Sequence, residues 1–211
     1  MNPAAVPFLF LTFLAAFFGL MIFLSRRQTG RANDSLAGAA SRLNLTLNRK
    51  PPVLGLFESI ATVAGPYRGR NVRFFNYTTG SGKSRTSWSA VAATCSGGAP
   101  FSLELATENF LTRLGEKLGM QDIKTGDPAF DQTFVVQSSD PNYAAAALLP
   151  EISANLLAQR QAGARGTWRI KDGEVRYSEI GSFGDAGRTE RLAAAIETIC
   201  YLAEIADIYK K

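Results

Sequence analysis

Asp122, Asp127 and Asp131 come nearest to a reactive constellation in this chain of 211 residues. Oxygen-only ligands of this kind suit a hard cation such as Ca²⁺ or Mg²⁺, and a metal held there would support a hydrolase or transferase. An EF-hand loop needs a denser acidic series closed by Glu, which Thr125-Gly126-Asp127-Pro128-Ala129-Phe130-Asp131 lacks. A structural role fits better. Asp127-Pro128 makes a turn, Phe130 anchors it in the core, and Asp131 caps or closes the following strand. There is no histidine, which excludes Ser/His and Cys/His nucleophile pairs and imidazole metal ligands. No cofactor is expected.

Gly80-Ser81-Gly82-Lys83-Ser84 invites comparison with a phosphate loop. The first glycine of G-x-x-x-x-G-K-[ST] would fall at Tyr77, and the segment leads into a strand where a phosphate loop needs a helix N-terminus. A hairpin loop is the expectation. Arg68, Arg70 and Arg73 interleave with Tyr67, Phe74, Phe75 and Tyr77, a pattern that can bind single strands by charge and stacking. Alternation places Phe74 in a core, and no recognised nucleic-acid motif accompanies the arginines, so no nucleic-acid partner is expected. Cys95 and Cys200 lie far apart in apolar surroundings and read as reduced core residues.

The net charge of +5 is unevenly spread. Residues 42–85 hold eight Lys/Arg and one Glu, a balance of +7, whereas residues 86–164 hold four Lys/Arg and eight Asp/Glu, a balance of −4. The candidate membrane or partner surface is Arg26, Arg27, Arg31, Arg49, Lys50, Arg68, Arg70 and Arg73. Anionic headgroups attract such residues at about 1 kcal/mol each near the surface.

These residues must be positioned by a fold, and its first element is the plainest. Residues 1–24 carry AAVPFLFLTFLAAFFGLMIFL from Ala4 to Leu24, without a charge and with Thr12 as its one polar side chain. About 20 apolar residues at ~1.5 Å each match a hydrocarbon core of ~30 Å. The segment reads as a transmembrane helix. Arg26, Arg27 and Arg31 follow it and no Lys or Arg precedes it, so the positive-inside rule puts the N-terminus outside and the remainder in the cytoplasm. The alternative is a cleaved signal peptide. Its cleavage site would be Ala37-Gly38-Ala39, well beyond the apolar run and behind three arginines.

Residues 25–43 read as a polar tether, Ser25 to Ala32, followed by a short helix capped by Asn33 or Asp34 and running to Leu43. Residues 44–211 read as one α+β domain, whose halves, 44–120 and 121–211, resemble each other weakly. The pattern predicts a short strand at 44–47, then strands at 60–64, 72–78, 85–95 and 101–105, with turns at Gly65-Pro66, Arg68-Gly69-Arg70 and Gly97-Gly98-Ala99-Pro100, hence a four-strand antiparallel β-meander from residue 60. Residues 108–118 carry helical spacing, 122–131 read as a loop, and 133–137 as a strand. Residues 142–149 and 150–160 read as helices, with Asp140 as an N-cap. Gly166 to Ser178 predicts a hairpin about Asp172-Gly173. Residues 189–209 predict one long helix with Leu192, Ile196, Ile199, Ala203 and Ala206 facing the core.

Gly65-Pro66-Tyr67-Arg68-Gly69-Arg70-Asn71-Val72, together with Thr125-Gly126-Asp127-Pro128-Ala129-Phe130-Asp131-Gln132-Thr133-Phe134-Val135-Val136, resembles an uncharacterised bacterial family of single-pass membrane proteins with a domain of unknown function. The resemblance covers the middle of the chain, implies a bacterial source and brings no catalytic residues. The sequence thus predicts a single-pass protein of the inner membrane. Its domain would be a non-enzymatic module that binds a protein partner or the anionic face of the lipid bilayer. The metal-dependent enzyme built on the three aspartates is the alternative.

Overall fold

The computed structural model describes residues 5–52, 59–95, 101–107 and 121–209. The predicted helix at 108–118 and the turn at 97–100 lie outside them. The fold is α+β: a long apolar helix, then an antiparallel sheet packed by helices.

Helix α1 runs unbroken from Ala5 to Leu43, 39 residues, or ~58 Å at 1.5 Å per residue. The predicted tether at Ser25–Ala32 is therefore helical, and the expected cap at Asn33 does not exist. Asn33 is buried, and its Oδ1 accepts the Ala61 N–H at 2.7 Å. The sequence gives no break between residues 25 and 43: Gly30 and Gly38 are the only poor helix formers of consequence, and no proline interrupts them. From Ala32 onward the helix has a buried stripe, Ala32, Leu36, Ala39 and Ala40. Packing of that stripe stabilises the whole turn sequence leading into it.

Among the described residues nine strands form one sheet: β1 (Thr46–Asn48), β2 (Thr62–Tyr67), β3 (Arg70–Thr79), β4 (Thr86–Thr94), β5 (Leu103–Ala106), β6 (Gln121–Ile123), β7 (Val135–Ser138), β8 (Thr167–Lys171) and β9 (Glu174–Ile180). Their order is β1-β2-β3-β4-β9-β8-β5-β7-β6, antiparallel throughout. The meander holds for β1 to β4 and ends there. The predicted fourth partner, β5, pairs with β8 and β7, while β9 takes its place beside β4. Strands of the two halves thus share one sheet, and the halves are not separate units.

Tight turns set this register. Arg68-Gly69 and Asp172-Gly173 each have two residues at positive φ, the type I′ geometry whose twist matches the flanking strands. Gly65-Pro66, expected as a turn, lies inside β2. The β1 ladder stops at Ala64, so the missing Pro66 N–H falls beyond the paired stretch on that side.

Among the described residues the remaining α-helices are α2 (Pro128–Thr133), α3 (Pro141–Ala147), α4 (Pro150–Gln161), α5 (Ala186–Ala194) and α6 (Ile196–Ile208). Helices α5 and α6 pack on β4 and β9, and α1 packs on β1, β2 and α5. The expected single helix at 189–209 begins earlier, at Ala186, and is interrupted at Ala195, although i→i−4 bonds continue through that residue. Its predicted stripe of Leu192, Ile196, Ile199, Ala203 and Ala206 is buried throughout. On the sheet, Val72, Phe74, Val91, Val175, Tyr177, Trp168 and Leu105 share the core-facing side by register.

One end of α1 has no such partner. Phe10, Phe13, Phe17, Phe18 and Phe23 are all at least half exposed, Phe13 to 70%. Among the described residues this is the one helix long and apolar enough to cross a membrane.

Candidate functional site

The arginines of the candidate surface divide into two groups. Arg68, Arg70 and Arg73 are matched by acids brought from the far end of the chain. Arg68 meets Glu197 at 2.7 Å, Arg70 meets Asp207 at 2.7 Å, and Arg73 meets Glu174 while lying 4.3 Å from the Phe75 ring. The basic stretch read from sequence is therefore largely neutralised where β2 and β3 meet α6 and β9. Arg49 and Lys50 are exposed beyond β1.

Arg26, Arg27 and Arg31 lie on the exposed part of α1, directly after the apolar stretch. Leu24, Arg27, Gln28 and Arg31 fall at i, i+3, i+4 and i+7, one face of the helix. That face and the β9–α5 connection border an open cavity of about 500 Å³, completed by Ser182, Gly184, Asp185 and Arg188. Gly184 comes so close to α1 that a Cβ there would meet the Gln28 carbonyl oxygen at 3.6 Å.

Arg188 is the residue sequence reasoning missed. Its Nη1 donates to the Ser182 carbonyl at 2.6 Å, and its Nη2 lies 3.4 Å from Asp185 Oδ2. Its Nε is buried without a hydrogen-bond acceptor; the nearest charge, Glu179 Oε2, is 3.8 Å away. Asp185 also caps α5, accepting the Arg188 N–H at 3.3 Å. Gly181 has φ +113, and a Cβ there would sit 2.7 Å from the Arg188 guanidinium, so the connection tolerates no side chain at that point. The run Gly181-Ser182-Phe183-Gly184-Asp185 was the available signal: two glycines ahead of an aspartate announce a tight entry into a helix.

A buried network holds this connection in place. Glu179 is 3% exposed. It accepts Arg191 through both oxygens, at 2.7 Å from Nη2 and 3.0 Å from Nε, and accepts the Tyr177 hydroxyl at 2.7 Å. Hydrogen bonding to Glu179, outweighing desolvation, raises the Arg191 pKa further. Burial, reinforced by the Glu179 charge, pushes the Tyr177 phenol well above its ordinary value. The Glu179 charge is thereby matched behind the cavity and does not offset Arg27 and Arg31, which form no ion pair among the described residues.

The three aspartates do not converge. Asp127 caps α2, accepting Ala129 N–H at 2.9 Å and Phe130 N–H at 3.3 Å. Asp131 accepts the Thr125 N–H and hydroxyl, both at 2.9 Å, and the Gly126 N–H at 3.2 Å. Burial opposes its ionisation, but these donors and Lys124 outweigh it and hold the carboxyl below its usual range. Asp122 accepts from Gln137 Nε2 at 3.0 Å on the far edge of the sheet. Of the loop expected at 122–131 only residues 124–127 are irregular, between β6 and α2, and Asp127 and Asp131 serve that connection locally. No cluster of three His, Cys, Asp or Glu suited to a metal occurs among the described residues.

The Gly80–Ser84 loop is a hairpin connection with a short 3₁₀ turn at Gly82–Ser84. Phe74 is fully buried against Phe183. On the opposite face of the sheet Tyr77 stacks on Trp88 at 5.9 Å, with Arg176 4.8 Å from the Tyr77 ring. A smaller concavity of about 260 Å³ lies at the β8–β9 hairpin, lined by Arg169, Lys171, Asp172, Glu174 and Arg176. Its acid Glu174 is already joined to Arg73, and Arg169 meets Glu104 at 3.4 Å. Cys95 and Cys200 are both free thiols.

No protein-family model matches the chain. No curated protein matches it either. Among solved structures it is similar to the mycobacterial trehalose monomycolate transport factor A, with a TM-score of 0.51 at 12% identity over 86% of this chain and 93% of that one. A likeness at that identity speaks to the fold, and it agrees with the α+β architecture of a helix-packed antiparallel sheet.

Proposed function

We propose that this chain is a single-pass membrane protein whose domain acts as a non-enzymatic module, held against the bilayer to bind a protein partner or the membrane face itself. The observation that carries the reading is the continuity of α1. One helix begins as an exposed apolar segment and ends as a buried part of the fold. Such a helix satisfies its backbone within lipid and fixes the domain at a set height above it. Retention of the segment is supported by Ala39, fully buried within α1: signal peptidase acting there would cut a core helix. The arginines after Leu24 favour the N-terminus outside and the domain in the cytoplasm. The transport-factor role named for the structural neighbour accords with a membrane-bound accessory part. The bacterial, inner-membrane family suggested by the Gly65 and Thr125 motifs belongs to the same proposal.

The test is extraction and labelling. The full chain should resist alkaline carbonate extraction, and a chain lacking residues 5–24 should be released. A Ser81→Cys variant should react with a membrane-impermeant maleimide only after the inner membrane is opened. Release of the full chain, or labelling in intact spheroplasts, would overturn anchoring or topology respectively.

A further inference from the structure

The geometry points to the cavity between α1 and the β9–α5 connection as a binding site for the headgroup of a net-anionic lipid. This rests on the anchoring reading above. Three observations place such a ligand there. The first is height. Leu24 ends the apolar segment, and Arg27 and Arg31 follow ~4.5 and ~10 Å further along the helix. With a ~30 Å hydrocarbon core inside a bilayer of ~40–45 Å, each headgroup layer is ~5–8 Å deep. Arg27 stands within that layer, and the Arg31 backbone lies a few ångström beyond it, within reach of its long side chain.

The second is charge. Three arginines, Arg27, Arg31 and Arg188, line the cavity against one acid, Asp185, which leaves +2 (three minus one). Arg188 holds its guanidinium at the cavity wall, with Nη1 on the Ser182 carbonyl and Nη2 3.4 Å from Asp185, while its Nε faces the buried Glu179. Asp34 lies a turn beyond Arg31 and does not line the cavity. At about 500 Å³ the space matches ordinary ligand sites.

The third distinguishes a lipid from free phosphate. The helix face that carries Leu24, Arg27 and Arg31 continues downward as Leu20, Phe17 and Phe13, exposed to 56%, 50% and 70%. A headgroup in the cavity would lay its acyl chains along that apolar stripe. Free phosphate would leave it unused.

The experiment reconstitutes the full chain in nanodiscs of phosphatidylcholine with one fifth phosphatidylglycerol, releases it into mild detergent and counts retained lipids by native mass spectrometry. Phosphatidylglycerol should be retained in preference to phosphatidylcholine. Each arginine contributes about fivefold, so Arg27→Gln with Arg31→Gln should reduce the preference about thirtyfold. Both are exposed, so the double variant keeps its fold. Arg188→Gln should reduce it as well, and Lys83→Gln, far away in the β3–β4 loop, should not. Equal retention of the two lipids, or a preference unchanged in the double variant, overturns the site while carbonate resistance leaves the anchor standing. Inorganic phosphate titrated into chains held in pure phosphatidylcholine nanodiscs should show no binding at millimolar concentration. Binding as tight as that of phosphatidylglycerol would reassign the cavity to a soluble anion and overturn the lipid.

Discussion

Glu179 shows how much one buried carboxylate can organise. Its bidentate partner Arg191, the Tyr177 hydroxyl and the nearby Arg188 all converge on it, tying β9 to α5. Removing one member of a buried ion pair strands the other. Glu179→Ala should therefore lower stability by about 3–5 kcal/mol in urea unfolding of the detergent-held chain. Asp131 tests a gentler point. Its folded pKa is depressed, so its contribution is present above the unfolded pKa and fades as pH falls through the folded one. Asp131→Asn should be less stable than the parent at pH 7, and thermal melts should show the two converging below the ordinary carboxylate range. Cys95 lies at the end of β4, where burial first, and Asp207 next, push its thiol up to about 11. Its thiolate fraction at pH 8 is about a hundredfold below that of a thiol at the ordinary value, and iodoacetamide labelling in the folded chain should be slowed accordingly.

At the scale of elements, the decisive one is the middle of α1. Residues 25–31 have no fully buried side chain, yet they are helical because a packed stripe lies on one side and an apolar run on the other. Hydrogen exchange should find the amides of Ser25–Arg31 protected in the full chain. Thr29→Pro removes a helix bond and clashes with the preceding turn, at about 3 kcal/mol. It should expose those amides while the β3–β4 ladder stays protected. Loss of protection in β3–β4 as well would mean that the domain depends on the helix as a unit.

For the whole molecule, the ion pairs explain where positive charge survives. Arg68, Arg70 and Arg73 bind α6 and β9 to the β2–β3 corner. Arg70→Ala should destabilise by about 2–3 kcal/mol, since its partly buried bond to Asp207 and its exposed bond to the Thr94 carbonyl both go. With those three engaged, the unmatched charge of the candidate set lies at Arg26, Arg27 and Arg31, directly after the apolar stretch, and at the exposed Arg49 and Lys50 beyond β1. A rigid helix, rather than a tether, then makes the orientation of the first three a property of the fold.

The long apolar helix, the β2–β3, β3–β4 and β8–β9 hairpins, the Asp140 cap and the buried face of residues 192–206 were all legible in the sequence, because each depends on local chemistry: apolar length, turn residues at positive φ, a capping carboxylate, a 3.6-residue period. The partners of β5, the helical state of residues 25–32 and the ion pairs of Arg68, Arg70 and Arg73 were not. Each is decided by residues roughly 30 to 140 positions away, as when Arg70 finds Asp207 or β9 takes the place beside β4. Charge counted along a chain records how many arginines there are. Only the folded chain sets which of them meet an acid and which, like Arg27 and Arg31, stand beside Arg188 around an open cavity.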